Sequence, residues 1–469
     1  MLRMKTNVLK GRWAAVSRWQ SGRLVSTTYC LLLTAYCLLP TSLHAQSDST
    51  LTYEQAVKIA LRENIQIRQQ RNLLTTAEAE RDQAYAQFLP NVYAFANGQR
   101  QVGRAPDNNT LQLVDATSNF LSLGAQASLT LFNGLGNVNQ LRQAQSSAEA
   151  QFHQINATQQ QVVFDVSQQY LQVLLNQELL RIARANVKQQ EELLTSVKTF
   201  VEAGTQNIAD QYNQEAETKR VALTVVEAEN QLAISKAQLI RTLQIDPFKE
   251  WTFTEPDAQT LELLGDETSL ENMYNEAIRR RPDLQQQQQQ IKANQFGVKV
   301  ARADFYPTLE VGYSYGSRYS SNDNAFTFDE QITEANITRG PFAQLYIPIF
   351  QNLQTRTQVQ RSKQLLNNAE LTLEDLQRNV LEQLQTTLAD YRAAQQRIVA
   401  ANAQVKAAEK ALEAEKERFR LGVGNILDLN RVNAAYVEAQ ANEVQANYTL
   451  VFQKTAIDYY TGTLESEQF

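Results

Sequence analysis

Apolar residues recur every seven positions along two long stretches, through Val166, Val173, Leu180, Val187, Leu194 and Val201 and again through Leu384, Tyr391, Ile398, Val405, Leu412 and Phe419. Each residue of the second series lies 218 positions after its counterpart (384 − 166 = 218). A seven-residue stripe keeps one seam of a helix facing its partner, so it predicts long helices with left-handed supercoiling. Breakers are sparse. From Asn137 to Asp246 there is no proline and one glycine, Gly204, and from Leu353 to Thr461 there is no proline and only Gly422 and Gly424. Each interval predicts one helical hairpin reversing at those glycines. The entering helices, about Leu135 to Phe200 and Leu353 to Phe419, hold about 65 residues and reach roughly 100 Å at 1.5 Å per residue.

Ahead of each hairpin a third helix is expected, over Thr52 to Gln87 and over Leu270 to Asp304. Each should stop at Pro90 or Pro307, where the ring removes a donor and pushes the preceding residue toward extended geometry. After each proline the period shortens to two. Leu121, Leu123, Ala125, Ala127, Leu129 and Leu131 alternate with Ser122, Gly124, Gln126, Ser128 and Thr130; Leu309, Val311, Tyr313 and Tyr315 alternate with Glu310, Gly312, Ser314 and Gly316; Ala343, Leu345, Ile347 and Ile349 continue the pattern. These predict half-apolar strands at about 90–103, 119–131, 307–320 and 338–350, separated by polar loops at Arg104 to Ser118 and Ser321 to Arg339. Strands of about ten residues suit a tilted crossing of a bilayer.

Landmarks between the periodic stretches repeat as well. Phe88-Leu89-Pro90 returns as Phe305-Tyr306-Pro307, and Phe200 to Asp210 around Gly204 returns as Arg418 to Asp428 around Gly422. The mature chain is therefore expected to be two tandem helix, strand, strand, helical-hairpin repeats, 46–268 and 269–469, with long hairpins at 135–246 and 353–461. The fold class is mostly α with a small β part.

Four strands cannot close a barrel. If they lie in lipid their edges must pair, since an unpaired backbone amide in hydrocarbon costs several kcal/mol. Several chains must then donate strands to one barrel. Two chains would give eight strands around a filled interior and three would give twelve around an aqueous lumen. Small polar positions such as Ser122, Gln126, Ser128 and Ser314 suit the wet lumen. A stand-alone porin supplies all its own strands and does not fit. An exported coiled-coil scaffold with a small sheet is the alternative, and it would be soluble without detergent.

Composition narrows the chemistry. Residues 1–45 hold six basic residues and no acid, then the apolar run Leu24 to Pro40, and are expected to be a secretory signal cleaved near Ala45, with translation able to start at Met4. Cys30 and Cys37 both lie in that segment, without the small residues that a lipoprotein cleavage site needs. The remainder has no thiol and one imidazole, His153, read as part of a solvated helix face. Removing the segment takes Lys+Arg from 44 to 38 against 50 Asp+Glu, a net charge of −12 that argues against nucleic acid. No phosphate-cradling loop, His/Cys pair or cofactor signature is present, so neither catalysis nor a cofactor or metal is expected.

The Leu51 to Asn64 opening, Phe88-Leu89-Pro90, Leu131-Phe132-Asn133-Gly134 at the strand exit, and the two glycine turns before Asp210 and Asp428 resemble the TolC-type outer membrane efflux proteins, over about 46–469. The resemblance implies a homotrimer whose twelve-stranded outer membrane barrel continues into a periplasmic α-helical barrel. Such a duct conducts passively for a tripartite efflux pump or type I secretion system, with a periplasmic adaptor (membrane fusion) protein and an inner membrane transporter as partners. It implies adaptor docking at the hairpin tips, Val201 to Ile208 and Phe419 to Ile426, including Gly204, Thr205, Gly422, Val423 and Gly424. It puts an aspartate gate at Asp428, with Arg431 standing where another acid would be expected and offering a pairing instead. Pro90, Pro307 and Gly134 would mark the helix–strand junctions, and Asn352, in place of a second junction glycine, can adopt left-handed geometry. Adaptors themselves carry one hairpin between compact β-rich domains, which two equal hairpins do not match.

Overall fold

The computed structural model describes residues 50–106, 112–254, 269–323 and 325–464. The signal segment expected at 1–45, with both cysteines, lies outside the described residues. Within them the chain builds the same run of helices twice. The first repeat contains α1 (Tyr53–Glu63), α2 (Ile65–Ala86), α3 (Gly136–Glu202) and α4 (Ile208–Leu243). The second contains α5 (Leu270–Arg280), α6 (Pro282–Ala303), α7 (Gln354–Arg420) and α8 (Ile426–Thr461). Counterparts are equal in length, at 11, 22, 67 and 36 residues. A 67-residue helix reaches about 100 Å.

The expected third helix is not continuous in either repeat. It breaks at Asn64 (φ −58°, ψ 129°) and at Arg281 (φ −64°, ψ 122°). Asn64 Oδ1 accepts the Gln66 N–H at 2.9 Å while its Nδ2 donates to the Thr242 carbonyl at 3.1 Å. At the equivalent point Pro282 forbids helical geometry at Arg281 and itself starts α6. The Arg281 guanidinium grips Asp283 at 2.7 and 3.1 Å and reaches the Tyr460 carbonyl at 3.3 Å. Thr242 and Tyr460 both end returning helices, so each break ties a short helix to the foot of its own hairpin.

The seven-residue stripes face inward throughout, and two equivalent cores form on them. One gathers Val57, Ile67, Val162, Val166, Tyr170, Val173 and Leu239 with Leu51 and Phe253 from a two-residue parallel pair, β1 (Thr50–Leu51) and β4 (Thr252–Phe253). The other gathers Met273, Leu284, Val380, Leu384, Leu388, Tyr391 and Leu450. Tyr170 closes the first core by hydrogen bonding to the carbonyls of Leu51 (2.8 Å) and Thr254 (2.6 Å). Neighbouring helices form a wall. Near the tips its order is α4, α3, α8, α7, and toward the sheet it is α2, α3, α6, α7.

Four strands form one antiparallel sheet in the order β2 (Asn91–Pro106), β3 (Leu113–Asn133), β5 (Thr308–Ser320), β6 (Thr338–Tyr346). Among the described residues β2 and β6 are open edges. Three boundaries differ from expectation. β2 and β3 run through most of the expected loop Arg104 to Ser118, because Arg104, Ala105 and Pro106 pair with Asp115, Val114 and Leu113. β6 ends at Tyr346 rather than near 350, just before Pro348, which has no N–H to donate. A bulge between Thr130 and Phe132 shifts the register, so Phe132 pairs with Leu309 and continues the apolar face in place of Leu131. The expected loop Ser321 to Arg339 contains a one-turn helix (Phe328–Glu330) and a π turn (Gln331–Ala335). The buried Gln331 side chain holds it by accepting the Ser320 N–H and donating to the carbonyls of Asp323 and Phe326.

Candidate functional site

Both hairpins reverse through a glycine that lets the helix end in left-handed geometry, Gly204 at φ +73° and Gly422 at φ +75°. Thr205 N–H and Val423 N–H then reach back to the carbonyls of Phe200 and Arg418, at 2.9 and 3.0 Å. Gly424 has a different reason to be glycine. A Cβ there would stand 2.7 Å from the Phe419 nitrogen. The returning helices are capped by Asn207 and Asn425, whose side chains accept the N–H of Ala209 and Leu427 at 3.0 Å each. Asp210 and Asp428 sit in the first turn, where a carboxylate favours the positive helix end. Asp428 meets Arg431 at 3.5 Å one turn along, with the carboxylate 50% and the guanidinium 80% exposed. An exposed pair of this kind contributes about 1 kcal/mol or less. At the tips Leu421, Val423, Leu427 and Ile208 stand open to solvent.

Just behind the tips the two hairpins are locked together. Val197, Leu412, Phe419, Ile426 and Leu429 form a third core, with the Phe200 and Phe419 rings edge-on at 6.3 Å. Beside it runs a buried amide network that the sequence did not single out. Gln214 Nε2 donates to Gln190 Oε1 at 2.6 Å, and Asn430 Nδ2 donates to Gln214 Oε1 at 2.9 Å. Asn433 joins Gln189 (2.7 Å) and Asn186 (2.9 Å). Gln and Asn on a helix read as surface residues, and the only signal that could have found these was their place beside the heptad seam.

At the other end Pro90 and Pro307 precede β2 and β5, and Gly134 turns from β3 into α3 at φ +66°. A Cβ on Gly134 would stand 2.7 Å from the Ala303 carbonyl oxygen. At the equivalent point Asn352 adopts φ +49°, as its residue type allows, and both following leucines, Leu135 and Leu353, are also left-handed, which the sequence did not signal. Asn133 bonds Asn137 at 2.8 Å, and Gln351 bonds Thr355 in the same position of the second repeat.

The sheet has two unlike faces. Val92, Ala94, Ala96, Leu123, Ala125, Val311, Tyr313 and Leu345 share one; Asn97, Gln99, Ser122, Gln126, Ser128 and Ser314 share the other. Exposed Phe88, Phe305, Tyr306, Tyr346 and Phe350 gather where strands meet helices, the composition of a membrane–water interface. Among the described residues no helix is long and apolar enough to cross a membrane, and no group of three His, Cys, Asp or Glu side chains is placed to hold a metal ion.

Comparison with known proteins agrees with this geometry. The outer membrane efflux protein family matches residues 56–243 and 273–463, that is, both repeats. The chain is 26% identical to the pyoverdine export outer membrane protein OpmQ of Pseudomonas aeruginosa, over 79% of this chain and 76% of that one. It is 26% identical to the outer membrane protein TolC of Vibrio cholerae, over 75% of this chain and 78% of the relative. Among solved structures, the Campylobacter jejuni CmeC outer membrane channel superposes with a TM-score of 0.77 at 16% identity, covering 89% of this chain and 88% of that one.

Proposed function

The chain belongs to the outer membrane efflux protein family and is an outer membrane channel extending into the periplasm, and we propose that three copies close into one exit duct for a tripartite export system. The observation that carries the proposal is the open sheet. Strands β2 and β6 expose backbone donors and acceptors beside an apolar face, and in hydrocarbon each unpaired group costs several kcal/mol. Three copies give twelve strands, enough for an aqueous lumen lined by the polar face. The helical wall has matching open edges. Leu223 and Val226 on α4 are 58% and 60% exposed, and Leu365, Leu371 and Val399 stand out on α7.

In the closed ring the tips around Gly204, Thr205, Gly422, Val423 and Gly424 dock a periplasmic adaptor, and the inner membrane transporter beyond it supplies the energy. Asp428 narrows the resting channel, with Arg431 holding its carboxylate. The two repeats, 46–268 and 269–469, act as duplicated staves of the wall. Native mass spectrometry of the detergent-extracted protein should give three copies, and a monomer free of detergent that carries no bilayer current would overturn the proposal. In a planar bilayer Asp428→Ala should raise single-channel conductance; unchanged conductance would remove Asp428 from the gate.

A further inference from the structure

A cavity of about 400 Å³ lies in the helical wall near the end of α8, within the size range of small-molecule sites. Three helices of a single copy line it, with Phe164 from α3, Glu382 and Asp390 from α7, and Phe452, Gln453 and Tyr460 from α8. Among the described residues no lysine or arginine lines it. The three aromatic rings are half-buried. Phe164 stacks on Tyr459 with centroids 4.5 Å apart and planes 18° from parallel, which fixes its orientation. Phe452 and Tyr460 stand 5.6 and 6.1 Å from the Phe164 centroid, so the rings make one continuous apolar wall. The two carboxylates are exposed on α7, eight residues (390 − 382 = 8) and hence about 12 Å apart along the helix.

The same helices turn other flanks to the cores of the short helices. Val163 and Val166 gather with Val57 and Ala60 of α1, and Leu384, Tyr391 and Ile457 gather with Met273 and Ala277 of α5. The geometry points to a binding site within each copy for a flat aromatic cation, its ring against Phe164, Phe452 and Tyr460 and its positive group beside Glu382 or Asp390. Ring faces are electron-rich and attract cations, and stacking adds to the area that a flat molecule buries. The carboxylates set the sign of the charge, with no base in the cavity to oppose them. Helices laid inside a closed ring would fill it, so α1 and α5 belong outside the duct and the cavity faces its lumen, where it gives cargo of this class a resting point. That role rests on the duct proposed above, whereas the site itself needs one copy only.

The test is equilibrium binding of ethidium to the detergent-extracted protein, read as fluorescence enhancement. Wild type should saturate at one ethidium per copy. Phe452→Leu should weaken binding about threefold, from the typical strength of an exposed cation–π contact, and Glu382→Gln with Asp390→Asn about tenfold, from two exposed charge pairs. Glu78→Gln with Glu80→Gln, which removes two exposed acids of α2, should leave the affinity unchanged. Wild-type affinity in either cavity variant overturns the site, as does an equal loss in the α2 variant, which would mean attraction to net charge alone. If Phe452→Leu fails to fold, the paired amide variant decides by the same comparison, since both of its side chains are exposed. A monomer that binds ethidium with these differences keeps the site and removes the duct; a conducting trimer that binds none removes the site and keeps the duct.

Discussion

At Gly204 a side chain would have open space but an unfavourable backbone, whereas at Gly424 the backbone nitrogen of Phe419 blocks the Cβ. The two glycines should therefore respond differently to substitution. Gly204→Ala should be destabilised by about 1–2 kcal/mol, the cost of an L side chain in left-handed geometry, with Gly204→Asn destabilised less, while Gly424→Ala must displace the end of α7 and is destabilised more; thermal melting of the detergent-solubilised protein measures the order. Titration offers a second residue-scale test at Asp458, whose carboxyl burial pushes above the ordinary aspartate range while Lys454 opposes the shift. An acid with a raised folded-state pKa contributes stability that is full below its unfolded pKa and lost as pH rises through the folded value. The charged carboxylate is thus unfavourable at neutral pH, and Asp458→Asn should melt higher than wild type at pH 8. The gain should vanish below about pH 4. An equal melting temperature at pH 8 would mean that Lys454 fully offsets burial.

Between elements, the amide network fixes the second hairpin to the first. Gln214 is fully buried and bonds both Gln190 and Asn430. Gln214→Leu keeps the bulk but strands those two partners, at a cost of about 1–3 kcal/mol. The expected result is a looser tip region, read as raised single-channel conductance and leakage of large antibiotics into cells. Wild-type values for both would make the network a folding feature without influence on the channel mouth. The same scale explains why the short helices break where they do. Asn64 and Arg281 use unrelated chemistry, a capping amide and a residue before proline, to reach the same place on α4 and α8.

For the whole molecule, the exposed apolar residues of the helical wall cluster on the helices that lack an outer neighbour. In the proposed trimer, Leu223→Glu with Val226→Glu places two carboxylates per copy in a subunit seam, and burying unpaired charge is strongly unfavourable. Trimers of this variant should dissociate at lower temperature in semi-native electrophoresis, with helix content by circular dichroism unchanged. A heat-stable variant trimer would show that α4 faces solvent. The sheet makes the same argument in its backbone, since β2 and β6 end in open hydrogen-bonding edges.

The sequence by itself determined the duplication, the length of the long helices, the glycine turns and the alternating faces of the strands, because each is local. A period of seven or two, a missing proline or a lone glycine acts on its own stretch of backbone whatever lies beside it. What only the tertiary structure decided depends on neighbours distant in the chain. Asn64 breaks a helix because Thr242 waits to accept its amide, and Leu131 loses its face because a bulge resets the register against β5. Gln190, Gln214 and Asn433 are buried because two hairpins more than two hundred residues apart in sequence close over them. Periodicity announces which side of a helix is apolar; which polar residues that side covers is settled by packing.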